Sequence, residues 1–219
     1  MLRVTTSFLA IAFAAVTPVL PSSAQEEMTR VGWAPSYSGS CTECGLAGHN
    51  LAGWNISNAN YPGADMTGAS LRAVKAHAAN FSSATAIGTD FRGGDLIQAR
   101  FKETKLSGAL FSGATLLGSN FTGADLTEAH LTSASLIGAN LEAAQLSGVF
   151  AEGADFSAAN LNGSNLSDGH FAGAVFDNAV LSGTNFADAD IADASFRDAR
   201  LVGADLSAVV GLSTANFEG

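Results

Sequence analysis

The chain has few of the residues that specify common folds. It contains 4 Pro, 2 Cys and 2 Trp in 219 residues, and only 14% of its residues are charged, against about 25% in an average globular chain. Helices held by surface charge pairs are therefore excluded as the main architecture. Two cysteines are too few for a disulfide scaffold or a four-cysteine zinc site. Basic residues are scarce as well: 10 Lys and Arg face 20 Asp and Glu, a net charge of -10, which disfavours nucleic acid and anionic membranes as partners. Long apolar runs are confined to one place. Phe8 to Val16, after Arg3 and before Pro18, spans about half of the ~18 to 20 residues that cross a bilayer.

That run, followed by Ser22, Ser23 and Ala24 before Gln25, predicts a cleavable secretory signal over residues 1–24. No cysteine stands at the cleavage point, so lipid anchoring is not expected. Loss of Arg3 leaves nine bases against 20 acids, a net of -11, on a chain expected to be periplasmic or extracellular and to lack a transmembrane segment.

What the chain has is a period of five. From Leu51 to Leu206 every residue whose number ends in 1 or 6 is a repeat centre, 32 in succession, and 25 of these are Leu or Phe. Ala stands two residues before the centre in 21 cases, and Asn or Asp often stands directly before it, as in Ala124-Asp125-Leu126 and Ala139-Asn140-Leu141. Neither the helical period of 3.6 nor the strand period of 2 accounts for this.

The pattern resembles the A-(D/N)-L-x-x motif of the pentapeptide-repeat family, over about 160 residues. The resemblance implies an all-β fold, a right-handed quadrilateral parallel β-helix in which four pentapeptides form each 20-residue coil. The centre and the residue two before it then point inward. On this reading residues 49–208 form about eight coils, roughly 38 Å long at the ~4.8 Å spacing of adjacent strands. Residues 25–48 form an N-terminal segment and cap, and residues 209–219 a C-terminal cap after a one-residue phase slip through Val209, Val210 and Gly211. Gly two residues after the centre supplies the turns.

Residues 20 apart are expected to stack. Phe81, Phe101 and Phe121 form one inward column, Phe156, Phe176 and Phe196 another, and Phe91 and Phe111 a pair on a third face. Ala76 and Ala151 are undersized centres preceded by Val74 and Val149, an exchange of volume between inward sites. Ala86 has only Ala84 before it, so the coil from Leu71 to Asp90 is expected to be the weakest.

Candidate chemistry is sparse. Cys41 and Cys44 form a C-x-x-C whose preferred reading is a local disulfide, with redox or metal chemistry as alternatives. His130 and His170 share an outward column two coils apart, too far to hold one metal, with Asp190 one coil beyond. The repeat has no insertion to wall a substrate groove, so no catalytic, cofactor-binding or metal site is assigned. Arg72, Lys75, Arg92, Arg100, Lys102 and Lys105 form a basic belt. Asp168, Asp177, Asp188, Asp190, Asp193, Asp198 and Asp205 form a candidate acidic docking surface for a cationic partner. Ile97, Leu117 and Ile137 make an outward apolar stripe, with Leu110 and Phe150 on a neighbouring face, a candidate site for a protein partner or self-association.

The favoured function is a non-enzymatic, exported binding or scaffold rod. The alternative comes from the resemblance: some family members mimic DNA and act on DNA gyrase as C-terminally joined dimers, which the signal sequence and the basic belt oppose.

Overall fold

A computed structural model describes residues 41–218; the expected signal segment and Trp33 lie outside them. Along these residues the chain pairs with itself at a fixed offset of 20. Parallel bridges run from Gly45↔Asp65 through Asp190↔Val210, always at the residue before a repeat centre. The result is a repeat solenoid with four sides per rung, one pentapeptide to a side.

Main-chain hydrogen bonding explains why five residues are the unit. In the repeat centred on Ile56, the amides of Ile56 and Asn58 donate to Lys75 O and His77 O in the next rung, and Ala59 N–H closes a turn to Ile56 O. The residue before a centre donates backward, as Asp65 N–H does to Cys44 O. The residue two after each centre has positive φ, whether it is Gly53 (71°) or Asp168 (57°). Glycine is favoured there because it has no Cβ to clash, and Asn and Asp tolerate the conformation better than most residues.

Four of the five amides are thus paired within the main chain, and that of the residue after the centre is left over. The Asn or Asp of the motif supplies the missing acceptor. Asn80 Oδ1 accepts Ser82 N–H at 3.1 Å, Asn120 Oδ1 accepts Thr122 N–H at 2.9 Å, and Asn185 Oδ1 accepts Ala187 N–H at 2.9 Å. The side chain before the centre is therefore a turn cap.

The core follows the expected alternation. Centres from Leu46 to Phe196 are buried, as are the residues two before them from Ala59 to Ala194. Where Ala is replaced by a hydroxyl residue, the group donates to a carbonyl: Thr104 Oγ1 to Phe81 O (2.8 Å) and Ser119 Oγ to Leu116 O (2.7 Å). Among the described residues no buried side-chain polar atom lacks a partner.

Aromatic centres stack along the axis. Phe101 lies between Phe81 (5.1 Å between centroids) and Phe121 (4.8 Å), and Phe176 between Phe156 and Phe196 (both 4.9 Å). Phe91 stacks on Phe111 at 4.8 Å and meets Phe81 and Phe101 edge to face from the opposite side. Phe81 and Phe91 meet edge to face where the centres Ala76 and Ala86 are both small, and both alanines are fully buried.

The ladder reaches below residue 49. Cys41 occupies a centre position and donates to Asn60 O, Leu46 is a buried centre, and Cys41 and Cys44 are joined by a disulfide with Cα atoms 5.6 Å apart. The period is hidden there because Cys stands at a centre that elsewhere is mostly Leu or Phe. At the other end the offset becomes 21 at Ser195↔Asn216, and Phe217 stacks on Phe196 at 4.8 Å. The extra residue is taken up beside Gly211 (φ 81°), where a Cβ would collide with the Ala192 backbone.

Candidate functional site

With the interior committed to packing, the outward positions carry whatever distinguishes one part of the rod from another. Three kinds exist on each rung: the strand residue before the centre and the two turn residues after it. No described helix is long and apolar enough to cross a membrane, and no group of three or more His, Cys, Asp or Glu could hold a metal among the described residues.

The seven acidic residues do not gather on one face. Asp168 and Asp188 stack at one corner, Asp193 lies at a second, Asp177 and Asp198 share a third on successive rungs, and Asp190 and Asp205 are strand residues on adjacent sides. They spread over three of the four corners and two adjacent sides, and the corner of Ser182, Gly183, Val202 and Gly203 carries no acid. Asp168, Asp188, Asp193 and Asp198 occupy the positive-φ turn place usually held by Gly. Asp190 and Asp205 cap turns through Ala192 N–H and Ser207 N–H.

Two carboxylates are ion-paired strongly enough to perturb their titration. Partial burial works against the charged form of Asp177, but hydrogen bonds from Ser195 and from the Arg197 side chain and amide, with the Arg197 charge, hold its pKa below the usual value. Asp90 behaves alike: burial opposes ionisation, and Arg92 (Nη2 to Oδ2 2.6 Å) with Arg72 (3.8 Å) outweighs it. Two residues of the basic belt are thereby tied to Asp90, and Lys102 pairs with Glu103 at 3.5 Å.

The apolar stripe is a corner column. Ile97 and Leu117 are half-buried and Ile137 is 40% exposed, with Gln98 N–H bonded to Leu117 O and Gly118 N–H to Ile137 O holding the rungs in line. Leu110 and Phe150 belong to a different column, the strand position of the side centred on Leu131 and Phe171.

On that side the structure brings together residues of different chemical type. His130, Phe150 and His170 occupy one column on successive rungs and their rings stack, at 4.7 Å and 5.0 Å between centroids and both 11° from parallel. With Leu110 below, four consecutive rungs abandon the Asn or Asp turn cap that the repeat favours. Asp90 and Asp190 restore it on either side, capping Arg92 N–H and Ala192 N–H. The signal was available: the four residues are 20 apart and none is Asn or Asp.

The family model for pentapeptide repeats matches in eight copies, over residues 50–93, 77–113, 95–133, 104–142, 134–171 and 170–207. The chain belongs to the pentapeptide-repeat family. Solved pentapeptide-repeat structures resemble it to varying degrees. HetL, involved in heterocyst differentiation regulation in the cyanobacterium Nostoc, is 26% identical over 80% of this chain and 89% of its own, with a TM-score of 0.43. A thylakoid-lumen pentapeptide repeat protein of Arabidopsis thaliana is 36% identical over 47% of this chain and 68% of its own, with a TM-score of 0.28. QnrB1, a plasmid-mediated fluoroquinolone resistance protein, is 24% identical over 77% of each chain, with a TM-score of 0.46. No curated protein matches the chain. Membership rests on the pentapeptide repeats themselves.

Proposed function

We propose that this pentapeptide-repeat protein is an exported, non-enzymatic scaffold rod that binds other protein through its outer faces. In this reading residues 1–24 are removed on export, about eight right-handed coils fill residues 49–208 with the ladder entering them from Cys41, and residues 25–40 and 209–219 cap the ends. The observation that supports it is the unbroken offset of 20 from Gly45 to Val210, which leaves no inserted loop to wall a substrate groove. A groove is what paired carboxylates need to act on a substrate. Recognition then falls to outward columns that depart from the turn-capping rule.

The alternative, a DNA mimic acting on DNA gyrase, draws on the acids spread over three corners of the last rungs. The basic belt between Arg72 and Lys105 opposes it, because mimicry of a duplex needs negative charge along the whole rod. Cell fractionation with N-terminal sequencing separates the two. An exported chain beginning at Gln25 supports the scaffold; an intact cytosolic chain refutes export and favours the mimic. Immobilised protein that retains no exported protein at near-physiological salt would refute the scaffold reading.

A further inference from the structure

We infer that the side carrying Leu110, His130, Phe150 and His170 is a self-association surface on which two copies lie face to face and antiparallel. The inference deepens the scaffold reading by naming a second copy of this chain as a partner.

The starting point is the lapse of turn capping over these four rungs, which replaces capping side chains with an apolar and aromatic column, half-buried at Leu110, His130 and Phe150 and exposed at His170. The occupant follows from the arrangement of charge about it. At the N-terminal end of the column stands the Arg72–Asp90–Arg92 cluster, with one positive charge in excess. At its C-terminal end, on the same side and its corners, stand Asp188, Asp190 and Asp193, none of which forms a salt bridge within the described chain. A surface positive at one end, apolar in the middle and negative at the other is complementary to itself when reversed. The twofold axis falls midway between His130 and Phe150.

Residue by residue the reversal is consistent. His130 comes opposite Phe150 of the second copy and Leu110 opposite His170. Arg92 comes opposite Ala192, flanked by Asp190 and Asp193. Along one corner Glu128, Asp168 and Asp188 come opposite Gly148, Gly108 and Gly88, so no like charges meet there. Asp90 comes opposite Asp190, and Arg72 and Arg92 already neutralise the former. Both copies share the same rung spacing, so contacts that match at one rung match at all of them. A face of this size, about 25 Å long on the ~4.8 Å rung spacing, buries less than the ~800 Å² per partner of a standard interface, so the dimer is weak and concentration-dependent.

Sedimentation velocity of the full chain across a concentration series at low and high salt tests this. The expected result is a reversible monomer–dimer equilibrium that weakens with salt. Phe150→Asp should abolish the dimer, and Arg92→Glu or Asp193→Arg alone should weaken it about tenfold. Combining the two reversals should restore at least half of that loss, because only the antiparallel arrangement brings position 92 beside position 193 of the other copy. Circular dichroism melts control for folding, and Phe150→Ser serves as a second variant should Phe150→Asp fail to fold. A protein monomeric at every concentration, a dimer indifferent to Phe150 substitution, or a double reversal that restores nothing overturns the proposal. Capture of a different protein by a strictly monomeric chain would sink this inference while leaving the scaffold reading intact; a dimer that captures nothing would do the opposite.

Discussion

The rod contains two aromatic interiors separated by a leucine one, and they are built differently. In the N-terminal interior Tyr61, Phe81, Phe101 and Phe121 stack on one side, and Phe91 with Phe111 faces them from the opposite side. In the C-terminal interior the stack of Phe156, Phe176, Phe196 and Phe217 stands on another side, met edge to face by Phe171 and Phe186. Between them, from Leu126 to Leu146, every centre is Leu. One repeat rule thus permits different fillings, provided that a large residue on one side is answered by a compatible one across the axis. Along the leucine interior the rings stand outside instead, as His130 and Phe150, in a stack that His170 continues beside the C-terminal rings.

The largest expected effect breaks the N-terminal stack at its centre. Phe101→Ala removes a fully buried ring with a stacked neighbour above and below and should cost about 3–5 kcal/mol. Leu136→Ala, in the leucine interior, loses a smaller side chain and no ring contact, and should cost about 2–4 kcal/mol. Chemical denaturation measures both. Hydrogen exchange should place the added opening of Phe101→Ala in the rungs between Phe81 and Phe121, since each rung contacts only its neighbours. An equal or larger loss for Leu136→Ala would show that the stacks add nothing beyond buried area.

A smaller change sharpens the C-terminal interior. Gly169 occupies an inward place normally held by Ala, and a Cβ there would run into the Phe171 ring and sit 3.0 Å from Leu166 O. Gly169→Ala should destabilise by about 1–3 kcal/mol, as overpacking does. The same substitution at exposed Gly163, where φ is +66° and nothing lies within 4 Å of a Cβ, is strained by its backbone rather than by contact. Restoring stability to Gly169→Ala with Phe171→Leu, which shortens the colliding ring, distinguishes the two causes. Failure of that rescue would mean that Phe171 is not what excludes the methyl group.

Much of this was legible in the sequence. A period of five with large and small inward residues placed the core, and residues 20 apart placed the phenylalanine stacks and the shift before Phe217. Three things were not legible, for physical reasons. Cys41 continues the ladder, but its residue type does not announce a centre. Asp168, Asp188, Asp193 and Asp198 look like a charge cluster, although they serve as turn residues dispersed over the corners of the rod. The ladder of His130, Phe150 and His170 is masked by residue type, because imidazole suggests ligand chemistry and Phe suggests apolar contact, whereas their common spacing of 20 unites them. Ile97, Leu117 and Ile137 were legible as a column, and the structure adds that Ile97 and Leu117 are half-buried while Ile137 is 40% exposed.

The turn caps offer a milder comparison between rungs. Asn120 Oδ1 accepts both Thr122 N–H (2.9 Å) and Thr122 Oγ1–H (2.7 Å) beside the N-terminal stack, so Asn120→Ala should cost about 1 kcal/mol. His130→Asn, which introduces a cap where the ladder lacks one, should leave stability unchanged or raise it by less than that, although it deletes a ring contact with Phe150. A loss above 2 kcal/mol in the denaturation midpoint analysis would mean that the His130–Phe150–His170 ladder is structural rather than a surface free for recognition.

The smallest effect separates the two interiors by pH. Asp90 anchors the N-terminal part and Asp177 the C-terminal part, and both have folded pKa values below their ordinary ones. In each, burial of the carboxylate is outweighed by arginine hydrogen bonds and charge, with Ser195 also donating to Asp177. A depressed folded pKa contributes stability at pH values above the unfolded carboxylate pKa of about 3.9, and that contribution is lost as pH falls through the folded value. Wild type should therefore exceed Asp177→Asn in urea midpoint at pH 7, and the difference should shrink as pH falls from about 4 through the depressed folded pKa, below which the Asp177 carboxyl is neutral as well. Hydrogen exchange should place the loss in the rungs around Phe176 for Asp177→Asn and around Phe91 for Asp90→Asn. A gap between wild type and Asp177→Asn that persists undiminished in acid would show that the carboxylate acts by shape and hydrogen-bond geometry alone, and that its pairing with Arg197 contributes no charge-dependent stability to the C-terminal interior.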